Sequence, residues 1–209
     1  MATNPRIYSI LKKLEVTKAK DSWPFGAEEH CFRLEPVLTG LQVADFEAQY
    51  HIQLPSEYRE FIMQVGNGGA GPAYGLFPLD ETVKYRGNTI PANFLRSPFP
   101  YQTFYNPYDD PSLAEYWKRS NNRQLTKEEY ETRKFKEVTG TLVLCHEGCG
   151  CLHLLVVSGE ASGQMWLDAT VSDGGYVPLG IGFLDWYEKW LDHALAGGDG
   201  VWWMSKTLE

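Results

Sequence analysis

The residues most able to do chemistry are concentrated at positions 145–153. They are Cys145, His146, Cys149, Cys151 and His153. Zinc prefers thiolate and imidazole ligands in tetrahedral geometry. On a strand, the side chains of Cys151 and His153 would share one face, where Cys149 could join them as a third ligand. The paired C-x-x-C motifs of structural zinc sites are absent from the sequence, and free cysteine commonly packs as a small apolar side chain. We therefore predict packed cysteines, no bound metal and no cofactor.

The sequence offers no clear catalytic site. Cys145 and His146 are neighbours on a predicted strand, so the thiol and the imidazole point to opposite faces. The G-x-S-x-G, H-E-x-x-H and P-loop motifs do not occur in it. Asp109 and Asp110 lie among prolines, which is more typical of a turn than of an acid–base pair. We predict a protein that is not an enzyme. A dispersed active site is the alternative, which a cleft with shifted pKa values would favour.

A glycine-rich segment at residues 66–71 formally matches the dinucleotide motif G-x-G-x-x-G. That motif binds phosphate when it follows a strand and opens a helix. Here a predicted helix precedes the segment and Pro72 follows it. The glycines therefore end a helix, and the order of elements argues against a nucleotide site.

Capping residues and apolar spacing predict the helices that position these groups. The first starts at Asn4-Pro5, and Thr39 and Thr126 can each open a helix through a capping box. A further helix follows Pro55, and an amphipathic one closes the chain at residues 183–195. The expected buried side chains are Ile7, Ile10, Leu11, Leu14, Leu41, Phe46, Tyr50, Tyr58, Phe61, Ile62, Val65, Phe183, Tyr187, Trp190, Leu191 and Ala194.

Short apolar runs at residues 74–79, 141–146, 151–157 and 164–168 predict strands in an antiparallel meander. The expected fold is α+β, a mainly antiparallel central sheet flanked by helices, with an N-terminal helix and a C-terminal amphipathic helix. We expect one domain over residues 1–209. Residues 1–38 would be an N-terminal helix and loop extension, and residues 96–125 an irregular insertion rich in aromatic residues and proline.

The formal net charge is −8, yet residues 1–20 hold five Lys or Arg against one Glu. Nucleic-acid binding normally needs a basic face, so the charge argues against a nucleic-acid partner. An acidic surface would attract a basic protein, although solubility alone also explains it. No apolar run resembles a signal peptide or a membrane span, which predicts a cytoplasmic protein without a membrane partner.

Two segments together resemble the SUKH superfamily. Residues 54–62 (LPSEYREFI), 66–69 (GNGG) and 75–79 (GLFPL) are similar to its signature L-P-x-x-Y-x-x-F, then N-G-G, then G-L-x-P-L. The apolar strand after Gly150, then Trp166 and residues 183–191, are similar to the family's strand, tryptophan and terminal helix. The resemblance covers roughly residues 39–79 and 140–195.

The resemblance implies a binding function with no catalysis and no cofactor. Bacterial members of the superfamily look like immunity proteins that neutralise a toxin domain, and other members look like regulators, as in yeast cell-wall synthesis. We therefore predict an immunity protein with a basic toxin domain as its partner. The alternative is a regulatory or scaffold protein that binds a host protein.

The best candidate for a partner-binding surface lies within the insertion, where rigid aromatic residues alternate with acidic ones. The candidate residues are Tyr101, Phe104, Tyr105, Tyr108, Asp109, Asp110 and Glu115. A loop folded over the sheet, with these aromatic residues as satellite core, explains the same pattern. The sequence leaves both interpretations open.

Overall fold

The computed structural model describes residues 4–20, 23–85, 87 and 90–198. Within these residues the helices are α1 (Pro5–Lys18), α2 (Ala27–His30), α3 (Gly40–Tyr50), α4 (Ser56–Gln64), α5 (Glu81–Lys84), α6 (Ala114–Asn121), α7 (Lys127–Glu137) and α8 (Phe183–Leu195). The strands are β1 (Thr141–His146), β2 (Leu152–Val156), β3 (Gln164–Asp168) and β4 (Tyr176–Gly182). Short 3-10 helices lie at Pro111–Leu113 and Thr170–Ser172.

The four strands form an antiparallel meander in the order β1-β2-β3-β4. The first three confirm the predicted strands, and the α+β fold is confirmed with them. The fourth strand was not predicted, because Pro178 and two glycines disguise it. Pro178 pairs with Trp166 on β3, and β4 lies at the edge of the sheet, where a proline is tolerated.

Part of the core lies between α4 and α8, and α8 also packs on β3 and β4. Tyr58 and Phe61 of α4 contact the ring of Phe183 on α8, each with 5.0 Å between centroids. Tyr187 lies one turn further along α8, 4.7 Å from Phe61, and donates its hydroxyl to the carbonyl of Ala70 at 2.8 Å. The residues predicted to bury α4 and α8 are therefore confirmed.

Helix α1 packs along α8 and carries basic residues to an acidic face. Ile7, Ile10 and Leu14 are buried at this contact, as predicted, and Asn4 caps the helix. Arg6 reaches Glu188 at 2.6 Å, and Lys13 reaches Asp192 at 2.6 Å. The basic N-terminal segment and part of the acidic C-terminal segment therefore neutralise each other within the molecule.

Two details of the predicted elements are wrong. Leu41 is 78% exposed, because the capping box of Thr39 sets the phase of α3 so that Val43 and Phe46 face the core instead. Residues 74–79 form no strand. They make an isolated bridge between Gly69 and Leu76, since the glycine-rich loop turns back on itself. The division of the chain into domain, extension and insertion stays a prediction.

Candidate partner-binding site

The insertion is joined to the sheet through Tyr105, which forms an isolated bridge with Tyr176 at the start of β4. Tyr105 N donates to Tyr176 O at 3.1 Å, and Tyr176 N donates to Tyr105 O at 2.7 Å. Tyr101 stacks on both rings, at 4.4 and 5.2 Å between centroids. These contacts hold the insertion against the sheet.

The structure divides the seven predicted partner-binding residues into two groups. Tyr101 and Tyr105 are half-buried, and burial is the main cause that raises the pKa of each. Asp110 caps the 3-10 helix by accepting from Ser112 N at 2.9 Å and from the Tyr105 hydroxyl at 2.8 Å. Tyr101, Tyr105 and Asp110 are therefore held by contacts within the protein.

The other four candidates are exposed, although the ring of Tyr108 also packs on Trp117. Phe104 is 55% exposed and Tyr108 is 45% exposed. Asp109 and Glu115 are also exposed. Both interpretations of the insertion thus describe part of it, since its inner rings pack on the sheet and its outer side chains face solvent. A contact of these residues with a partner stays a prediction.

A cavity of about 260 Å³, here called the insertion cavity, lies where α6 and α7 meet the ends of the strands. Its aromatic walls are Tyr108, Tyr116, Trp117, Tyr130 and Tyr176. Its charged residues are Arg133, Lys134, Glu137 and Asp168. Most of these residues were not predicted from the sequence, although Tyr130, Arg133 and Glu137 recur at helical spacing on one face of α7.

The ionic groups in the insertion cavity are tightly held. Arg133 Nε donates to Glu137 Oε1 at 2.7 Å, and the Tyr176 hydroxyl donates to Glu137 Oε2 at 3.3 Å. Thr170 donates its backbone N–H and its hydroxyl to Asp168 Oδ1 at 3.2 and 2.7 Å. Burial raises the pKa of Glu137, while the nearby Arg133 opposes that rise.

Only part of the cysteine–histidine cluster considered as a zinc site comes together in the structure. Cys145 pairs with His153 across β1 and β2, and Glu147 joins them, so that donor atoms of the three lie within 4.8 Å of one another. His153 Nε2 and Glu147 Oε1 form a hydrogen bond of 2.6 Å. Cys149 and Cys151, which the zinc alternative would place with His153, do not belong to this group.

The thiols of Cys149 and Cys151 lie outside this group. Cys149 is exposed, and Cys151 lies 3.9 Å from the hydroxyl of Ser172. Burial raises the pKa of the Cys145 thiol well above its ordinary value, which keeps it protonated and unreactive. Cysteine, glutamate and histidine are zinc-ligand types. The hydrogen bond between Glu147 and His153 accounts for the pair without an ion, and a packed, metal-free cluster stays a prediction.

His146 is half-buried at the end of β1, in a stack of aromatic rings. Tyr74 covers one face at 4.7 Å, and Phe77 and Tyr85 follow at 6.0 and 6.3 Å. Phe25 contacts Tyr74 at 5.4 Å. As predicted, the imidazole of His146 is separated from the buried Cys145.

Among the described residues, no helix has the length and apolar character needed to cross a bilayer.

The model of the SMI1 / KNR4 family (SUKH-1) matches residues 38–189. This span begins just before α3 and ends within α8, and it includes the four strands, the insertion and the insertion cavity. No curated protein and no solved structure matches the chain.

Proposed function

Because the chain belongs to the SMI1 / KNR4 family (SUKH-1), we propose that it is a non-enzymatic protein-binding module, specifically a bacterial, cytoplasmic immunity protein that neutralises a cognate toxin domain. In this proposal the chain acts as one domain, and the insertion supplies the surface that contacts the partner. The N-terminal extension stabilises the body through its packing on α8.

The observation that carries the proposal is the exposed aromatic surface of an insertion that is itself fixed in place. Phe104 and Tyr108 are 55% and 45% exposed, while Tyr105 is bridged to Tyr176 on β4. Aromatic side chains on a rigid support bind with a small loss of conformational entropy. Tyrosine is also enriched among the residues that dominate binding energy.

The acidic groups of the insertion favour a basic partner. Asp109 and Glu115 are exposed on the same segment as Phe104 and Tyr108. The acidic face of α8 is a weaker attraction, because Arg6 and Lys13 already neutralise part of it. Charge at the insertion would raise the association rate, and the aromatic residues would slow dissociation.

The test is capture of a partner with the full-length chain as bait, from the native host and from cells that also express the neighbouring open reading frame. The proposal predicts recovery of a basic toxin-like domain at 1:1 stoichiometry, with its toxic activity lost in the complex. The Phe104→Ala bait should recover less of it, whereas Tyr8→Ala, which removes an exposed aromatic residue of α1, should recover the same amount.

The alternative function predicts a different outcome. Recovery of a housekeeping protein alone, with no toxin-like domain, would support a regulator or scaffold that binds a host protein. That result would contradict the immunity function while leaving the binding function in place. Recovery of no partner under either condition would contradict both.

A further inference from the structure

His30, the last residue of α2, is a buried histidine that accepts a hydrogen bond at one ring nitrogen. Its Nδ1 accepts from the backbone N–H of Phe32 at 3.0 Å. A ring nitrogen that accepts a hydrogen bond carries no proton, so this contact exists only while the imidazole is neutral. His30 therefore supports the following residues in one protonation state and not in the other.

The hydrogen bond to Nδ1 lies across an uncommon backbone turn. Cys31 and Phe32 have φ of +49° and +53°, which is the left-handed region that residues other than glycine seldom adopt. Two such residues in succession are strained and need support from the surrounding contacts. The turn is closed by Cys31 N, which donates to Ala27 O at 2.7 Å, and by Arg33 N, which donates to His30 O at 2.8 Å. The Nδ1 contact is the bond of this turn that a second proton on the imidazole would remove.

This turn places the ring of Phe32 against α8. Phe32 stacks on Trp190 with 5.7 Å between centroids and 11° between planes, and the edge of Trp23 contacts Phe32 at 5.6 Å. The imidazole of His30 contacts Phe32 and Trp190 at 5.3 and 6.1 Å. Phe32 is thus a ring by which residues 23–32 dock on α8, and its position depends on the turn after His30.

The glycine-rich loop, residues 66–75, packs against the other side of the imidazole. A Cβ at Gly75 would lie 3.1 Å from Cδ2 of His30, and the loop has no charged side chain. Burial lowers the pKa of His30 below its ordinary value of 6.5, and contacts with the backbone of Gly71 and Ala73 only partly oppose that shift. A proton on His30 therefore places a charge among apolar rings and backbone, where it is costly.

Nearby charged groups offer little compensation for that proton. Glu28 on α2 favours the charged imidazole, but its effect is smaller than that of burial. On α8, Trp190 contacts the imidazole and is uncharged, while the carboxylates of Glu188 and Asp192 already bind basic residues of α1. Protonation thus adds a charge that is poorly compensated and removes the acceptor that Phe32 uses.

We propose that protonation of His30 releases the ring of Phe32 from Trp190 and undocks residues 23–32 from α8, while the rest of the chain stays folded. An imidazolium carries N–H groups at both ring nitrogens, so Nδ1 would face the N–H of Phe32 as donor against donor. The turn then loses its acceptor, and its left-handed residues relax toward ordinary conformations.

Two contacts limit the movement to this segment. Helix α1 stays on α8 through its buried side chains and the ion pairs of Arg6 and Lys13. On the other side, Ala70 N donates to Arg33 O at 2.7 Å and keeps the chain after the turn on the glycine-rich loop. The segment between these two points is therefore a pH-sensitive switch, and it goes beyond the proposed function because it involves no partner.

The test follows the full chain by NMR between about pH 7.5 and about pH 4.5. The Cε1–H resonance of His30 reports its protonation, and the Phe32 N–H and the Trp190 indole N–H report the docked state. All three should titrate together with a midpoint below 6.5. Across that range the Phe32 N–H should lose at least roughly tenfold in its protection factor against exchange, while the N–H groups of β2 and β3 keep theirs.

His30→Asn is the matched variant, because an asparagine Oδ1 can accept from the N–H two residues later and does not titrate in this range. In His30→Asn the resonances of Phe32 and Trp190 should be independent of pH. His51→Gln, which changes an exposed histidine at the end of α3, should keep the wild-type titration. If His30→Asn does not fold, the coincidence of the three wild-type midpoints still decides the matter.

Three outcomes would overturn the switch. The first is a His30 titration that leaves Phe32 and Trp190 unchanged, or no titration of His30 above about pH 4.5. The second is a pH effect on Phe32 that persists in His30→Asn. The third is loss of protection throughout the sheet at the same midpoint, since that would be global unfolding. Each of these results leaves the proposed function untouched.

Discussion

Tyr105 in the insertion and Tyr176 at the start of β4 exchange two backbone hydrogen bonds, at 3.1 and 2.7 Å. This pair extends the sheet by one bridge into a segment that sequence alone describes as irregular. The outward side chains of the insertion are therefore carried on a framework set by β4. A binding surface of this kind should lose little entropy when a partner docks.

The bridge predicts a specific cost for Gly175→Ala. A Cβ at Gly175 would lie 2.6 Å from Tyr105 O, and its φ of +69° is unfavourable for alanine. The matched control is Gly180→Ala, which has a φ of +67° and nothing within 4 Å of the added Cβ. Gly175→Ala should lower the free energy of unfolding by about 1–3 kcal/mol more than the control does, the usual cost of overpacking.

Amide hydrogen exchange locates that effect. In Gly175→Ala the N–H groups of Tyr105 and Tyr176 should exchange faster, while those of α1 and α8 keep their protection. Equal stability and equal exchange in the two glycine variants would contradict an anchoring role for the bridge.

A second prediction concerns Arg6, whose guanidinium contacts Glu188 and Asp185 on α8 and Glu57 on α4. Arg6→Ala should lower the free energy of unfolding by about 1 kcal/mol at low salt, because the group is partly exposed and water screens it. The difference from the wild-type chain should shrink as salt rises. Urea unfolding measures this, with Lys12→Ala as an exposed control on α1. An effect of Lys12→Ala equal to that of Arg6→Ala would contradict a specific network.

A third prediction concerns pH and His30, which is 7% exposed. Burial lowers the pKa of His30 below its ordinary value of 6.5, although backbone contacts and Glu28 oppose the shift. The unfolded chain therefore binds more protons than the folded chain in the window between the lowered pKa and 6.5. Stability should fall as the pH drops through that window.

Urea midpoints at about pH 7 and about pH 5.5 measure the His30 effect. His30→Gln should reduce the loss of stability between the two pH values, even though it weakens the contact with Phe32 N. His51→Gln, which changes an exposed histidine at the end of α3, should keep the wild-type loss. An unchanged loss in His30→Gln would assign the pH dependence to other groups.

A fourth prediction concerns the rate at which the partner associates. The rate constant should fall about tenfold or more from low to high salt, since charge attraction is screened. Asp109→Asn combined with Glu115→Gln should slow association with little change in dissociation, whereas Glu15→Gln on α1 should change neither. Stopped-flow mixing measures both constants. Association that is indifferent to salt would contradict the electrostatic part of the proposal.

The helices were predictable because their ends are encoded locally. Asn4, Thr39 and Thr126 each accept a hydrogen bond from a backbone N–H in the first turn, and those contacts need only neighbouring residues. Strand β4 was not predictable, because Pro178 is acceptable only at a sheet edge, and the sequence does not say which strand lies at the edge.

The insertion cavity was even harder to predict from the sequence than strand β4. Trp117 and Asp168 are 51 positions apart, and only the folded chain brings them to one cavity. Tyr101 likewise stacks on Tyr105 and Tyr176, and the sequence carries no signal for the bridge that joins those two residues. The family signature was accessible from sequence because Leu54, Tyr58 and Phe61 have fold-making roles at fixed spacing.

The most direct test of a partner-binding insertion is a hydrogen-exchange footprint of the chain alone and in complex with the captured partner. We expect added protection in peptides covering residues 101–121, and at least roughly tenfold weaker binding of Phe104→Ala, with Tyr8→Ala unchanged. Protection confined to α1 and α8, with Phe104→Ala binding as tightly as the wild-type chain, would contradict it.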